Sequence, residues 1–516
     1  MGKWMDGYLE KYTNLRQESL DAGGKERVDI QHSLGKLTAR ERIDRLIDAG
    51  TFEEVGSFVR DDRPPYDGKN RQSPHEGIVT GFGSINGRQV IIYSVDFTVM
   101  SGSLGDQAIW KLSDLTWMAG QLRVPLIGII DSAGERLSLK DGNVGYYGLA
   151  QFLRNYSLIS GIVPRITLLL GPSTGISSVV PVLSDFLIIS KKTGFLWLGG
   201  EKESADAGSA EFHMEKSGQC DLIAEDDEDA ISILKELLNY IPQNCWDKPT
   251  IIETGDDPER REEELLTTMP DDPKYTYDMH DIIKLIVDNG EFFELKSEFA
   301  EHLIIGFCRF EGRSCGLVAN NPDEMSGILE PDSSDKYDRF MNFLDSFNIP
   351  LISLVDTTAF PPGDKWEKLG VLRHGAKLLH SYAHLTCPKI TIVLRRSYGG
   401  GNIVMGCIRM TPDYIYGWPT MEFAPTGPET VVHAIFHKEL AKAKEEGKYD
   451  EVFNFYLSIL KEQFSVLTLS RVWTTPYTVH EVIDPRETRP RITNALRSLT
   501  NKQEFVHKKK RSIKPT

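Results

Sequence analysis

The chain has 516 residues, too many for one ordinary core, and the length predicts two to four domains. Its 59 basic against 75 acidic residues give a net charge of −16, which argues against a surface built to coat nucleic acid or anionic membrane, since both need a net basic face. Hydrophobic residues at 40% and charged ones at 26% are ordinary for a globular chain, and no window approaches the roughly 18 uninterrupted apolar residues of a membrane span.

The N-terminal stretch Met1-Gly2-Lys3-Trp4-Met5-Asp6 has no apolar run after its lysine, so no secretory signal is expected. Thr38 with Glu41 predicts a capping box ahead of Ile43, Leu46 and Ile47, which share one helical face. The apolar runs at 90–93 and 126–130 predict buried strands alternating with helices, an α/β pattern. After the second run stands a loop of small residues, Asp131-Ser132-Ala133-Gly134-Glu135-Arg136-Leu137. A second loop, Gly171-Pro172-Ser173-Thr174-Gly175-Ile176-Ser177-Ser178, follows the next run. Small residues after a strand and before a helix leave backbone N–H groups able to hold a developing oxyanion. Gly171 to Gly175 also matches the Gly-x-Ser-x-Gly nucleophile elbow, which offers Ser173 as a serine-hydrolase alternative. That alternative is the weaker one, because the elbow belongs to a single unrepeated sheet.

From Trp246 to His280 the chain turns acidic and proline-punctuated, which predicts an exposed linker with a short charged helix. Beyond it the chain repeats itself. The stretch 49–55 is echoed at 289–295, an offset of 240. Gly81-Phe82 with Gly87-Arg88 recurs as Gly306-Phe307 with Gly312-Arg313, and 124–131 recurs at 349–356, both at an offset of 225. Residues 163–167 recur at 387–391, an offset of 224. Four echoes in one order predict two copies of one domain: residues 1–255, an acidic linker at 256–279, and residues 280–516. The second copy has matching loops, Asp356-Thr357-Thr358-Ala359-Phe360-Pro361-Pro362-Gly363 and Arg395-Arg396-Ser397-Tyr398-Gly399-Gly400-Gly401-Asn402. The six cysteines form no Cys-x-x-Cys pair, which predicts packed or surface thiols in a reducing cytoplasm and no zinc ribbon.

At these loops the sequence resembles the carboxyltransferase β subunits of biotin-dependent acyl-CoA carboxylases, of the propionyl-CoA and methylmalonyl-CoA type, and the related decarboxylase subunits. The likeness runs through Gly35-Lys36-Leu37-Thr38-Ala39-Arg40-Glu41-Arg42-Ile43, Ser101-Gly102-Ser103-Leu104-Gly105 and Asp131 to Leu137. It continues through Arg373 to Lys377, Pro388 to Thr391, Tyr398-Gly399-Gly400, Trp418-Pro419-Thr420 and Asp484 to Arg489, covering almost the whole chain in collinear order.

The resemblance implies two tandem crotonase-like (ββα-superhelix) domains, the N-terminal one binding acyl-CoA and the C-terminal one of a neighbouring subunit binding biotin. It implies a homodimer, commonly three of them in a hexamer. By matched position, Gly175 and Ile176 form the first oxyanion hole, for the thioester enolate, and Gly400 and Gly401 the second, for the biotin ureido oxygen. Ser101, Gly102, Ser103, Ala133, Gly134 and Arg136 then surround the acyl-CoA, and Pro362, Gly363, Asn402 and Ile403 the biotin and acyl pocket. The cofactors implied are biotin on a separate carrier and a coenzyme A thioester, or an acyl-carrier thioester, with no metal. The chain holds no Met-Lys-Met attachment site, so the carrier and any biotin carboxylase are expected as separate chains.

The chain departs from the family pattern in three places. Ile176 stands where the first hole usually has a second glycine, and its branched side chain is expected to crowd the pocket. Glu135 stands where relatives have alanine. The plain expectation is that it faces solvent or pairs with Arg136 or a lysine; the sharper one makes it an acid/base residue of a biotin-independent decarboxylase or hydratase. Asn402-Ile403 replaces an aromatic followed by aspartate, which leaves the acyl group open. A scaffold subunit with an inactive first hole is the non-enzymatic alternative. The basic run Lys508-Lys509-Lys510-Arg511 is expected to be a solvated tail.

Overall fold

A computed structural model describes residues 3–61, 73–136, 144–272, 275–465, 478–504 and 512–515; Leu137 and the basic run at 508–511 lie outside the described residues. The chain forms two compact units, Met1–Lys248 and Pro249–Thr516. No helix among the described residues is long and apolar enough to cross a membrane.

In the first unit the antiparallel hairpin Ile78–Ile85 and Arg88–Val95 feeds a parallel run through Leu126–Ile130, Arg165–Leu169, Phe186–Ser190 and Leu222–Ala224. The interior strands are buried along their whole length, which is why they read as unbroken apolar runs. Parallel neighbours need crossovers, and Asp106–Leu122 and Val144–Leu158 supply them. Thr38 caps the helix Ala39–Leu46 in the expected capping box, and Ile43 and Leu46 are buried beneath it.

The second unit repeats this plan at the predicted offset. Its hairpin is Leu303–Phe310 and Arg313–Asn320, its helix Pro331–Ser346, and its next strands Leu351–Thr357 and Lys389–Tyr398. A helical lobe spans Pro428–Ile435, His437–Glu445 and Tyr449–Phe464, with a small core of its own around Val432, Leu440 and Leu460. No disulfide forms among the described cysteines, and Cys220, Cys308, Cys315 and Cys387 are buried.

The segment expected as a solvated linker, 256–279, is instead part of the second unit. Leu265 and Tyr277 are buried in that unit's core, and Arg260 donates to the Leu285 and Val287 carbonyls. The first unit accordingly closes at Lys248 rather than at residue 255. Charge and proline mark a surface segment, but a few apolar side chains suffice to pin it.

His280 lies in the first turn of the helix Met279–Ile286 and bonds both Glu294 at 3.0 Å and Asp278 at 2.6 Å. The hydrogen bond to Glu294, above all, raises its pKa to about 9. A raised folded-state value stabilises fully below the unfolded value of about 6.5 and is lost as pH rises through about 9. Urea melts of the second unit should therefore lose on the order of 1–2 kcal/mol between pH 6.5 and 9.5, and His280→Gln should flatten that slope.

Candidate functional site

Three loops meet at the C-terminal ends of the first unit's parallel strands, where α/β sheets place ligands. Ala133 donates its N–H to the Ser101 carbonyl at 3.0 Å, and Leu104 to the Gly134 carbonyl at 2.9 Å. Ser132 donates its N–H to the Pro172 carbonyl at 2.7 Å, and the Thr174 hydroxyl reaches the Ala133 carbonyl at 3.0 Å. Ser101, Gly102, Ser103, Ala133 and Gly134 are thus brought together with Gly175. The turn is held in left-handed backbone: Met100, Ser101 and Gly102 have φ of 51°, 57° and 63°. Non-glycine residues in that region carry strain of order 1 kcal/mol each.

Gly175 needs its own φ of +61° and opens a turn ending at Ser178. Its N–H donates to the Leu198 carbonyl at 3.0 Å, so of the two expected oxyanion donors this one is already engaged. The Ile176 side chain lies outside the described residues, so the expected crowding does too. Beside the turn is a cavity of about 360 Å³ lined by Ser178, Val182, Trp197, Leu198 and Phe212.

Glu135 is partly exposed, as one half of the plain expectation has it, but it is not paired with Arg136. The Arg136 guanidinium bonds Glu76 at 2.7 Å, Asp61 at 3.2 Å and the Ser103 carbonyl at 2.8 Å. The Glu135 carboxylate has no ion-pair partner among the described residues, and partial burial, then the neighbouring Asp106, raise its pKa. Ser173, by contrast, is buried on a short strand with its hydroxyl 3.2 Å from that of Ser177. Among the described residues no histidine or carboxylate reaches it, so the nucleophile-elbow arrangement is not assembled.

In the second unit the strand Lys389–Tyr398 runs into the helix Gly399–Val404. Gly400 and Gly401 fall in the helix's first turn, where N–H groups have no intrahelical acceptor. A Cβ on Gly400 would stand 2.8 Å from the Phe360 ring, and one on Gly401 2.9 Å from the Ala359 Cα. Asn402 accepts from the Ser397 hydroxyl at 2.9 Å, and Ile403 is 39% exposed. Pro362 and Gly363 are exposed, at the start of the helix Asp364–Leu369.

Sequence reasoning missed several residues that shape these loops. Phe360 covers the glycine turn. Lys36 and Arg42 lie within the N-terminal stretch that carried the family resemblance, yet nothing in their spacing shows that they reach Asp131, at 2.7 and 3.1 Å. Arg395 and Arg396 reach Asp356 in the same way, at 2.9 and 2.7 Å. Glu76 carries no signal at all, since its role comes from left-handed backbone at His75 and Glu76.

A family model described as the carboxyl transferase domain matches residues 30–513. The methylmalonyl-CoA carboxyltransferase 12S subunit of Propionibacterium freudenreichii subsp. shermanii is 38% identical over 524 residues, covering 98% of this chain and 97% of that one. The methylmalonyl-CoA decarboxylase subunit alpha of Veillonella parvula is 37% identical, covering 93% and 94%. The propionyl-CoA carboxylase beta chain of Roseobacter denitrificans is 37% identical, covering 96% and 97%. Among solved structures, the transcarboxylase 12S hexamer with hydrolysed methylmalonyl-coenzyme A bound superposes with a TM-score of 0.93 at 37% identity, covering all of both chains. The crotonase-like α/β fold expected for both domains is the fold of this chain.

Proposed function

Because this chain belongs to the carboxyl transferase domain family, we propose that its two units hold the two reactants of a carboxyl transfer between biotin and a short acyl-CoA. The protein is an acyl-CoA carboxyltransferase of the β-subunit type. The observation that carries the two-reactant reading is the duplicated pair of glycine loops at equivalent strand ends.

We assign the acyl thioester to the first unit, beside Ser101 to Ser103, Ala133, Gly134 and the Gly175–Ile176 turn. Donors there steady the enolate oxygen as the α-carbon gains or loses its carboxyl group. The Gly175 N–H joins them when its bond to Leu198, which is 79% exposed, gives way. Biotin, carried on a separate chain, supplies the transferable carboxyl group. The residues of the second unit fit it: Gly400 and Gly401 leave a cradle that a Cβ would fill, with N–H groups at a helix start, where the helix itself supplies no acceptor, and Phe360 alongside. Pro362, Gly363, Asn402 and Ile403 border that cradle in sequence. Chemistry of this kind needs backbone donors more than acid/base side chains. We infer a homo-oligomer by likeness to the transcarboxylase hexamer, and sparse cysteines without disulfides suit the cytoplasm.

The test is turnover of malonyl-, methylmalonyl- and propionyl-CoA with and without a biotin donor or acceptor. Transfer that requires biotin supports the proposal. Failure to bind any CoA thioester overturns it. Ser173→Ala should leave turnover within about twofold, since among the described residues no base reaches that hydroxyl. A second reading, biotin-independent decarboxylation, is favoured only by the unpaired, raised-pKa Glu135. Under it turnover persists without biotin, and Glu135→Gln abolishes it.

A further inference from the structure

Asp131 and Asp356 are the same position in the two copies, since 356 − 131 is 225, and both carboxylates are fully buried. Asp131 accepts from Lys36 at 2.7 Å, Gln31 at 3.0 Å and Arg42 at 3.1 Å. Asp356 accepts from the Arg396 side chain at 2.7 Å, Arg395 at 2.9 Å and the Tyr277 hydroxyl at 2.9 Å. The cations come from unrelated places. In the first unit they lie 95 and 89 residues upstream, and in the second 39 and 40 residues downstream. What the copies share is the buried carboxylate and the loops beside it.

Each aspartate meets its loops in two ways. The Asp131 carbonyl lies so close to Gly102 that a Cβ there would stand 2.2 Å away; the Asp356 carbonyl meets Gly327 likewise, at 2.6 Å. These glycines end Met100-Ser101-Gly102 and Met325-Ser326-Gly327, two turns whose residues all have positive φ. The side chains then brace the loop ahead. The Asp131 carboxylate faces Gly171, where a Cβ would be 1.8 Å from Oδ1, and the Asp356 carboxylate accepts the Arg396 N–H at 3.2 Å, two residues before Tyr398. The third loop is tied on in parallel: Leu104 donates to the Gly134 carbonyl at 2.9 Å, and Leu329 to the Ala359 carbonyl at 3.1 Å. Buried ion clusters seldom stabilise more than apolar packing would, so one that recurs with different cations points to a geometric requirement.

We propose that Asp131 and Asp356 are equivalent positioning residues, each fixing through main chain and carboxylate together the three loops of its own unit's oxyanion site. The inference rests on the two-reactant reading above. It follows that loosening one cluster disturbs one reactant and spares the other.

The full chain tests this with Lys36→Gln and Arg396→Gln, each of which leaves its aspartate other donors. With methylmalonyl-CoA and free biotin varied separately, Lys36→Gln should cut kcat/KM for the thioester at least tenfold and keep the biotin KM within twofold. Arg396→Gln should do the reverse, and Lys36→Arg should restore most of the loss. Where Lys36→Gln fails to fold, Gln31→Leu, which removes one donor from the same carboxylate, replaces it. Equal loss for both reactants, or no loss in either variant, overturns the inference. If the wild-type protein is inert with every thioester, the carboxyl-transfer reading fails, and hydrogen–deuterium exchange decides this one. Lys36→Gln must then raise exchange in 100–104, 131–136 and 171–178 while leaving 356–363 unchanged, and a uniform pattern overturns it.

Discussion

Arg42→Met should destabilise the protein by about 3–5 kcal/mol, among the largest effects available to a single substitution in the first unit. Arg42 has no exposed surface, and its guanidinium does three things at once. It bonds Asp227 at 2.8 Å, Asp131 at 3.1 Å and the Leu170 carbonyl at 3.0 Å. Methionine fills much of the volume, so the loss is not a cavity. It is the loss of the only cation bonded to Asp227 among the described residues, together with half of the charge around Asp131. A buried carboxylate left without its cation must take up a proton or draw in water, and either costs several kcal/mol. Equilibrium urea unfolding of the full chain measures this. Arg45, one turn along the same helix, gives the contrast. It pairs with Glu228 while more than half exposed, so Arg45→Met should change stability by less than about 1 kcal/mol. Equal effects from the two substitutions would mean that the buried cluster contributes nothing of its own.

Gly401→Ala should lower carboxyl-transfer turnover by about 100-fold, the loss typical of removing one oxyanion donor. The added Cβ would stand 2.9 Å from both the Ala359 Cα and the Thr357 Cγ2. The first of these is main chain, in a residue already held at a φ of 88°, so it has little room to retreat. The helix turn itself must move, and its N–H groups move off the position they would share with an oxyanion. Gly175→Ala differs in kind. Its Cβ would meet nothing within 4 Å, and the penalty is the left-handed backbone alone, about 1 kcal/mol. Steady-state kinetics alongside thermal melts separate the two, because Gly401→Ala should lose turnover well beyond any fall in stability.

Much of the architecture was legible in the chain itself. The echoes at offsets of 225 and 224 locate the hairpins, the strand ends and both pairs of glycine loops, because a duplicated fold must repeat its apolar runs and its turns at one spacing. The pairing of Asp131 with Asp356 lay in the same echoes. Local sequence misleads about the segment 256–279 and leaves Glu135 undecided for one cause. Residues 256–279 look like a linker because local composition records charge and proline, but Leu265 and Tyr277 find a core that lies far along the sequence. Adjacency leaves Glu135 a choice between solvent and Arg136, and only the fold removes the second, because Arg136 is turned toward Glu76, 60 residues away, and Asp61, 75 residues away.

What the sequence determined by itself was therefore whatever periodicity and repetition record: the α/β class, the two copies, the capping box at Thr38, and the loops that could do chemistry. What only the tertiary structure decided was which groups those loops lean on. The Gly175 N–H is engaged by Leu198, Phe360 covers the second glycine turn, and two aspartates are caged by cations from opposite directions along the chain. The physical reason is range. Helix and strand patterns repeat over a few residues, so they are written locally. A buried carboxylate accepts any cation that the fold delivers within 3 Å, and nothing in the local sequence says from how far it comes.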